Sequence, residues 1–374
     1  YMNDIRRKKG LFVDENVIIQ EEVMLGFSVY LNESLTNERI AQMKAMRNAG
    51  FEGVFTSMHI PEDDASCYVP RLKELGTVCR QLGLTLTADV SANGLKRISI
   101  DINNIQQLTD LGLTALRVDD GLNPAQIAQL SRQLPVALNA STISASDVAK
   151  LHECDANFQH LEAWHNYYPR PATGLDYEWY QSKNNWLKQQ GFTTMAFVAG
   201  DEELRGPVFA GLPTLEGDRY RHPLASTLNL LGKLATDKVY IGDIALSRAA
   251  LEQFRLYFQH NILQLSIQTS IASLYQDIWH NRPDVARDVI RLVEGRQKIK
   301  TMPPMQTRKR PVGTITVDNS RYGRYMGELE ILKQSLSADP RVNVVGQVVT
   351  TDLSLLALIG SNQAVQFIRK DEKQ

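Results

Sequence analysis

The sequence predicts an α/β fold, a TIM (β/α)8 barrel followed by a smaller β-rich domain, and three observations predict it. Eight short β-rich runs alternate with segments of helical spacing up to about residue 261. The turn after the first run, "YLNESLTNE", has no GxGxxG, so the phosphate turn of an open dinucleotide-binding sheet is missing. From residue 262 the alternation gives way to several short strands around one helix.

The strands follow in order as "MLGFSVYL" (24–31), "GVFTSM" (53–58), "LTLTADV" (84–90), "TALRVD" (114–119), "PVALNA" (135–140), "ANFQHLE" (156–162), "TTMAFVA" (193–199) and "KVYIGD" (238–243). Amphipathic stretches separate them. In "NERIAQMKAMRNAG", Ile40, Met43 and Met46 share a face and Gly50 supplies the stop; in "VPRLKELGTVCRQLG" the face is Leu72, Leu75, Val78, Cys79 and Leu82. After the barrel come "ILQLSIQT", a helix-like "RPDVARDVIRLVEG", then "GTITVDN", "GELEILKQSL", "RVNVVGQVV" and "QAVQFI". The expected organisation is an extension over 1–23, a catalytic barrel over 24–261 and a second domain over 262–374.

Composition narrows the function. The 374 residues carry 41 Lys plus Arg against 42 Asp plus Glu, a net charge of −1 that provides no basic field for nucleic acid. No apolar run approaches the ~18 residues of a membrane span, and three cysteines without a CxxC pair predict reduced thiols in the cytoplasm.

Barrel topology converts the strand count into a site, because working residues sit where strands end and in the loops that follow. Those positions are Tyr30 and Asn32, Ser57 and His59, Asp89, Asp119 and Asp120, Asn139, Glu162, His165 and Asn166, and Asp243. Asp119 and Glu162, two carboxylates across a barrel mouth, are predicted to be the catalytic pair of a glycosidase, one donating a proton to the leaving oxygen and the other acting as an anion. A set drawn from His59, Asp89, Asp119, Glu162 and His165 offers a metal site as the competing use, although neither HxH nor HExxH occurs. The loop "LEAWHNYYPRPATGL" offers Trp164, Tyr167 and Tyr168 to stack on a sugar, His165 and Asn166 to bond hydroxyls, and Arg170 between two prolines to bind an anion. A second polar loop carries Arg205, Glu216 and Arg219, and "DNSRYGRYMGELE" in the second domain adds Tyr322.

"MLGFSVYL", "FTSMHIPEDD", "LRVD", "LNAST", "HNYYPRPATGL" and "RGPVFAGLPTLEGDRYRHP", with "RPDVARDVIR" and "TVDNSRYGRYMGELEI" further on, resemble the 6-phospho-N-acetylmuramidases, the MupG-like glycosidases. The resemblance spans nearly everything from Met24 on. It implies a cyclophilin-like second domain and cytoplasmic hydrolysis of N-acetylmuramic acid 6-phosphate-β-1,4-N-acetylglucosamine in cell-wall recycling, with no cofactor. The expected partner is therefore a phosphorylated amino-sugar disaccharide, neither nucleic acid nor membrane. Tyr30, His59, Asp89, Asn139, His165, Asn166, Tyr168, Arg170, Arg205 and Tyr322 are the expected substrate contacts. A non-catalytic sugar-phosphate sensor and a metal-dependent sugar-phosphate lyase or isomerase are the alternatives from other classes.

Overall fold

The computed structural model describes residues 24–58, 68–91, 101–102, 104–118, 121–305 and 307–370. Eight parallel strands close into a barrel in chain order: β1 (Met24–Ser28), β2 (Gly53–Ser57), β3 (Thr85–Val90), β4 (Ala115–Val118), β5 (Val136–Asn139), β6 (Leu161–Trp164), β7 (Thr193–Val198) and β8 (Lys238–Ile241). Closure is made by β8 against β1, with Tyr240 beside Gly26. The helices between them are α1 (Asn37–Asn48), α2 (Tyr68–Leu82), α3 (Ile105–Asp110), α4 (Pro124–Ser131), α5 (Ala145–Glu153), α6 (Tyr177–Gln189), α7 (Pro223–Lys233) and α8 (Arg248–His260).

Local chemistry explains where these helices begin. The side chains of Thr36, Asn104, Asn123, Ser144 and Asp176 each accept a first-turn backbone N–H, and Asn123 with Gln126 and Ser144 with Asp147 complete reciprocal capping boxes. The expected apolar faces are buried at Met43 and Met46 in α1 and at Leu72, Leu75, Val78 and Cys79 in α2.

One strand lies later in the chain than expected. Residues 158–160 form a 3-10 turn capped by Asn157, whose own N–H donates to Ser131 Oγ (2.9 Å), and β6 starts only at Leu161. Glu162 is therefore the second residue of β6 and not its end.

Aromatic rings fill the barrel. Trp164 lies 5.9 Å from Phe55 and 5.1 Å from Tyr240 between ring centroids, and Phe197 lies 5.2 Å from Phe55. Tyr240 explains two glycines inside strands: a Cβ on Gly26 would sit 2.4 Å from its ring, and one on Gly53 would sit 2.0 Å from its hydroxyl.

The chain divides into two compact units, one running to Leu251 and the other from Glu252. The second is a seven-stranded mixed sheet in the order β10-β15-β9-β14-β12-β13-β11. Its strands are β9 (Ile262–Thr269), β10 (Ile278–His280), β11 (Val289–Leu292), β12 (Thr314–Asp318), β13 (Leu329–Leu332), β14 (Val342–Val348) and β15 (Ala364–Arg369). Among the described strands of this sheet only β15 and β9 pair in parallel, and β11 replaces the helix expected over "RPDVARDVIRLVEG", its Val289, Ile290, Arg291 and Leu292 alternating half-buried and buried against β13. Leu265, Trp279, Ile290, Ile315, Ile331 and Phe367 make its core. Among the described residues no helix is long and apolar enough to cross a membrane.

Candidate active site at the barrel mouth

A cavity of about 900 Å³ opens where the barrel strands end, within the range of small-molecule sites. Register builds its floor. Ser57, Asp89 and Arg117 are successive partners across β2, β3 and β4, so alternation points all three to the same side of the sheet. Asp89 Oδ1 accepts a hydrogen bond from Arg117 Nη1 at 2.7 Å, and Arg117 Nη2 donates to Asn166 Oδ1. Arg117 is 4 % exposed and Asp89 8 %, so this is a desolvated, charge-assisted pair at the base of a polar pocket.

One wall comes from the ends of β1 and β6. Tyr30 and Tyr167 face the cavity, Tyr30 donating to the carbonyl of Gly242 at 2.5 Å. Burial pushes both phenols above their ordinary pKa, which keeps them neutral. The Arg205 guanidinium lies 3.5 Å over the Tyr30 ring and donates to Tyr167 Oη at 3.3 Å. The lining also includes the polar residues Asn32, Glu33, Glu38, Arg39 and Glu203. Arg39 Nη2 stands 3.9 Å from Glu203 and its Nη1 donates to Gln42 and to the carbonyl of Ile244. Arg205 makes no ion pair among the described residues, which leaves its charge for a ligand.

The structure brings together Tyr30, Asp89, Asn166, Tyr168 and Arg205 of the expected residues. Glu162, His165, Asn139 and Arg170 lie off that lining. Glu162 lies in register with Thr193, the first residue of β7, and accepts from Lys238, the first residue of β8, at 2.8 Å and from Trp164 Nε1 at 2.6 Å. It occupies the N-terminal end of the barrel beneath the aromatic layer. His165 points outward by strand alternation, bonding Asn184 Oδ1 at 2.8 Å, and burial pushes its imidazole down to about 4, so it is neutral. Trp164 is likewise core rather than a sugar platform. Asn139 accepts the N–H of Ser141 at 3.1 Å and does not line the cavity.

Arg170 is exposed and off the cavity; its carbonyl accepts from Thr173 and from Arg219. What fastens its loop is Glu216, which accepts the N–H groups of Ala172 (2.9 Å) and Gly174 (2.8 Å) and Nε and Nη2 of Arg219. The Arg219 guanidinium, helped by those N–H groups, holds the Glu216 carboxyl at about 2. Glu216 and Arg219 thus neutralise each other. Tyr322 belongs to the second unit, its ring 4.5 Å from the Arg341 guanidinium. His59, Asp119 and Asp120 lie outside the described residues. Of the metal set, Glu162 and His165 leave the cavity.

Sequence reasoning missed Arg117 and Arg39. For Arg117 there was a signal, a cation within the apolar strand "ALRV", because a buried charge requires a partner.

Comparison with known proteins adds the relationship. Residues 25–256 match the family model described as 6-phospho-N-acetylmuramidase, N-terminal, and residues 259–368 the one described as 6-phospho-N-acetylmuramidase, C-terminal. The solved structure of a conserved Enterococcus faecalis protein of unknown function is 39 % identical, with 93 % of this chain and 97 % of that one covered and a TM-score of 0.87. An uncharacterised B. cereus protein is 24 % identical over 93 % of this chain and 100 % of its own, with a TM-score of 0.70, and shares the fold. Curated proteins returned no match.

Proposed function

The chain belongs to the 6-phospho-N-acetylmuramidase family and is a glycosidase, and from that premise we propose that its barrel mouth hydrolyses N-acetylmuramic acid 6-phosphate-β-1,4-N-acetylglucosamine to the two sugars. The observation that carries the substrate reading is Arg205, a cavity cation without a carboxylate partner among the described residues, mounted on Tyr30 and suited to a phosphate. Arg39, loosely engaged by Glu203, is the candidate for the lactyl carboxylate. Tyr168 and Pro169 offer apolar faces to the sugar rings, and Ser57 and Asn166 hydrogen-bonding groups to their hydroxyls.

For the chemistry we assign Asp89, ion-paired with Arg117, as the anionic carboxylate that attacks or stabilises the oxocarbenium-like centre. Asp119 is the proposed acid; the argument for it is sequence alternation, two positions after the cavity-facing Arg117. Glu162 leaves the catalytic pair, because its charge is already matched by Lys238.

The proposed setting is cytoplasmic cell-wall recycling, supported by three cysteines without a CxxC pair and by the nature of the substrate. The proposed division places the barrel domain over 24–261, after an extension over 1–23, and the second domain over 262–374. We read the second domain as cyclophilin-like, a reading supported by the Asn281–Leu292 bridge, which links the segments following β10 and ending β11, the two edge strands of its sheet. Product analysis with the phosphorylated disaccharide and its unphosphorylated form tests the proposal: cleavage confined to the former supports it, and binding without cleavage or equal cleavage of both refutes it.

A further inference from the structure

The segment between β7 and the 3-10 turn at Glu216 contains no helix or strand, yet it supplies Glu203, Arg205, Gly206, Pro207 and Leu212 to the cavity. One buried side chain gathers it. Asp243, just beyond β8 and 1 % exposed, accepts the N–H of Gly200 (2.9 Å) and of Leu212 (2.9 Å) at Oδ2 and the N–H of Arg205 (3.0 Å) at Oδ1. The beginning, middle and end of the loop therefore converge on one carboxylate, which makes no ion pair among the described residues; burial pushes its pKa up, and the three N–H dipoles and the nearby Arg205 charge partly offset that.

The preceding residue completes the arrangement. Gly242 holds the Tyr30 hydroxyl through its carbonyl, and the Tyr30 ring is the platform for the Arg205 guanidinium. Space is tight on both sides: a Cβ on Gly242 would lie 2.4 Å from the Leu212 carbonyl oxygen, and one on Gly200 2.5 Å from that of Ala245. Adjacent residues after β8 thus fix Arg205 at both ends, Asp243 through its backbone N–H and Gly242 through the ring beneath its head group.

We propose that Asp243 is a positioning residue for anion recognition, its carboxylate holding the loop so that the Arg205 guanidinium meets the substrate phosphate. This rests on the reading of Arg205 given above. Asparagine in place of Asp243 offers one acceptor oxygen where two are used, and turns an N–H₂ toward a backbone donor. The loop then loosens, and a bidentate contact that depends on a fixed fork is lost first.

The experiment is a double-mutant cycle on the full chain. Asp243→Asn is expected to raise KM for the phosphorylated disaccharide about tenfold while changing kcat less than about threefold, and in an Arg205→Ala background to add less than about twofold. A tenfold effect that persists without Arg205, or a fall in kcat with unchanged KM, overturns the proposal. Where Asp243→Asn does not fold, Asp243→Glu, which keeps the charge on a longer stem, is read in the same cycle by the same criteria. Amide hydrogen exchange at Gly200, Arg205 and Leu212 reports the anchor without substrate, and should accelerate in the variant. A wild-type protein that cleaves neither disaccharide, with that exchange difference present, refutes the substrate reading and not the anchor; unchanged exchange refutes the anchor itself.

Discussion

Glu162→Gln separates the two roles that an acid in a barrel can have. The substitution keeps shape and removes the charge that Lys238 pairs with at 2.8 Å, the two side chains being 9 % and 18 % exposed. Deleting one partner of a buried pair costs about 3–5 kcal/mol, because the other charge is left uncompensated. The Gln oxygen can still accept from Trp164 Nε1, and Lys238 retains some contact with water, so the low end, about 3 kcal/mol, applies. For a domain of this size that corresponds to a fall in melting temperature of roughly 6–12 °C. Thermal melts and steady-state kinetics well below the transition give the two numbers. The expected outcome is the lowered melting temperature with kcat within about threefold of wild type. Replacing both partners, Glu162→Leu with Lys238→Met, should recover much of the loss, since no lone charge remains. A hundredfold loss of turnover with an unchanged melt would refute the assignment and return Glu162 to the reaction.

Asp89→Asn is expected to reduce kcat on the order of 10²-fold or more, measured on the phosphorylated disaccharide, because an amide can neither attack nor counter a developing cation. Arg205→Lys should raise KM for that substrate about ten- to a hundredfold, and Arg170→Lys, exposed and off the cavity, less than about twofold; the reverse order would relocate the phosphate site. In the second unit, burial pushes Asp318 and Glu330 up to about 7, with Glu328 adding repulsion to both. The folded chain then holds more protons than the unfolded one between about pH 4 and 7, so that unit's stability should fall as pH rises through this window. Urea melts at pH 5.5 and pH 8, with hydrogen exchange followed in β12 and β13, check the sign, and Asp318→Asn with Glu330→Gln should flatten the profile.

Much of the barrel was legible because parallel strands buried on both faces read as short apolar runs, and capping residues mark where the helices start. The sixth strand shows where such reading breaks down. "ANFQHLE" has strand composition, but Asn157 caps a turn through its side chain and ties its own N–H to Ser131, a contact across 26 residues that no local pattern records. The resulting shift placed Glu162 at a strand end, and with it at the mouth. In a barrel this error has a functional cost, since one end of a strand faces substrate and the other faces a structural layer. The shift also determines His165, because alternation that turns Trp164 into the core turns its neighbour toward α6.

The arginines show a second kind of gap. Arg170, Arg205 and Arg219 lie in two polar loops, and by sequence alone Arg170, fixed between two prolines, is the first candidate for an anion and Arg205 the next. What separates them is pairing. Arg219 gives Nε and Nη2 to Glu216, three residues away, and its charge becomes part of the loop's fastening. Arg170 contributes its carbonyl to that fastening and leaves its side chain in solvent, where a phosphate contact is screened and weak. Arg205 has a ring beneath it, a phenol beside it, an anchored backbone and no carboxylate partner among the described residues. A half-buried cation so held is placed to receive an anion, and the glycosidase family to which the chain belongs is named for a substrate that carries one.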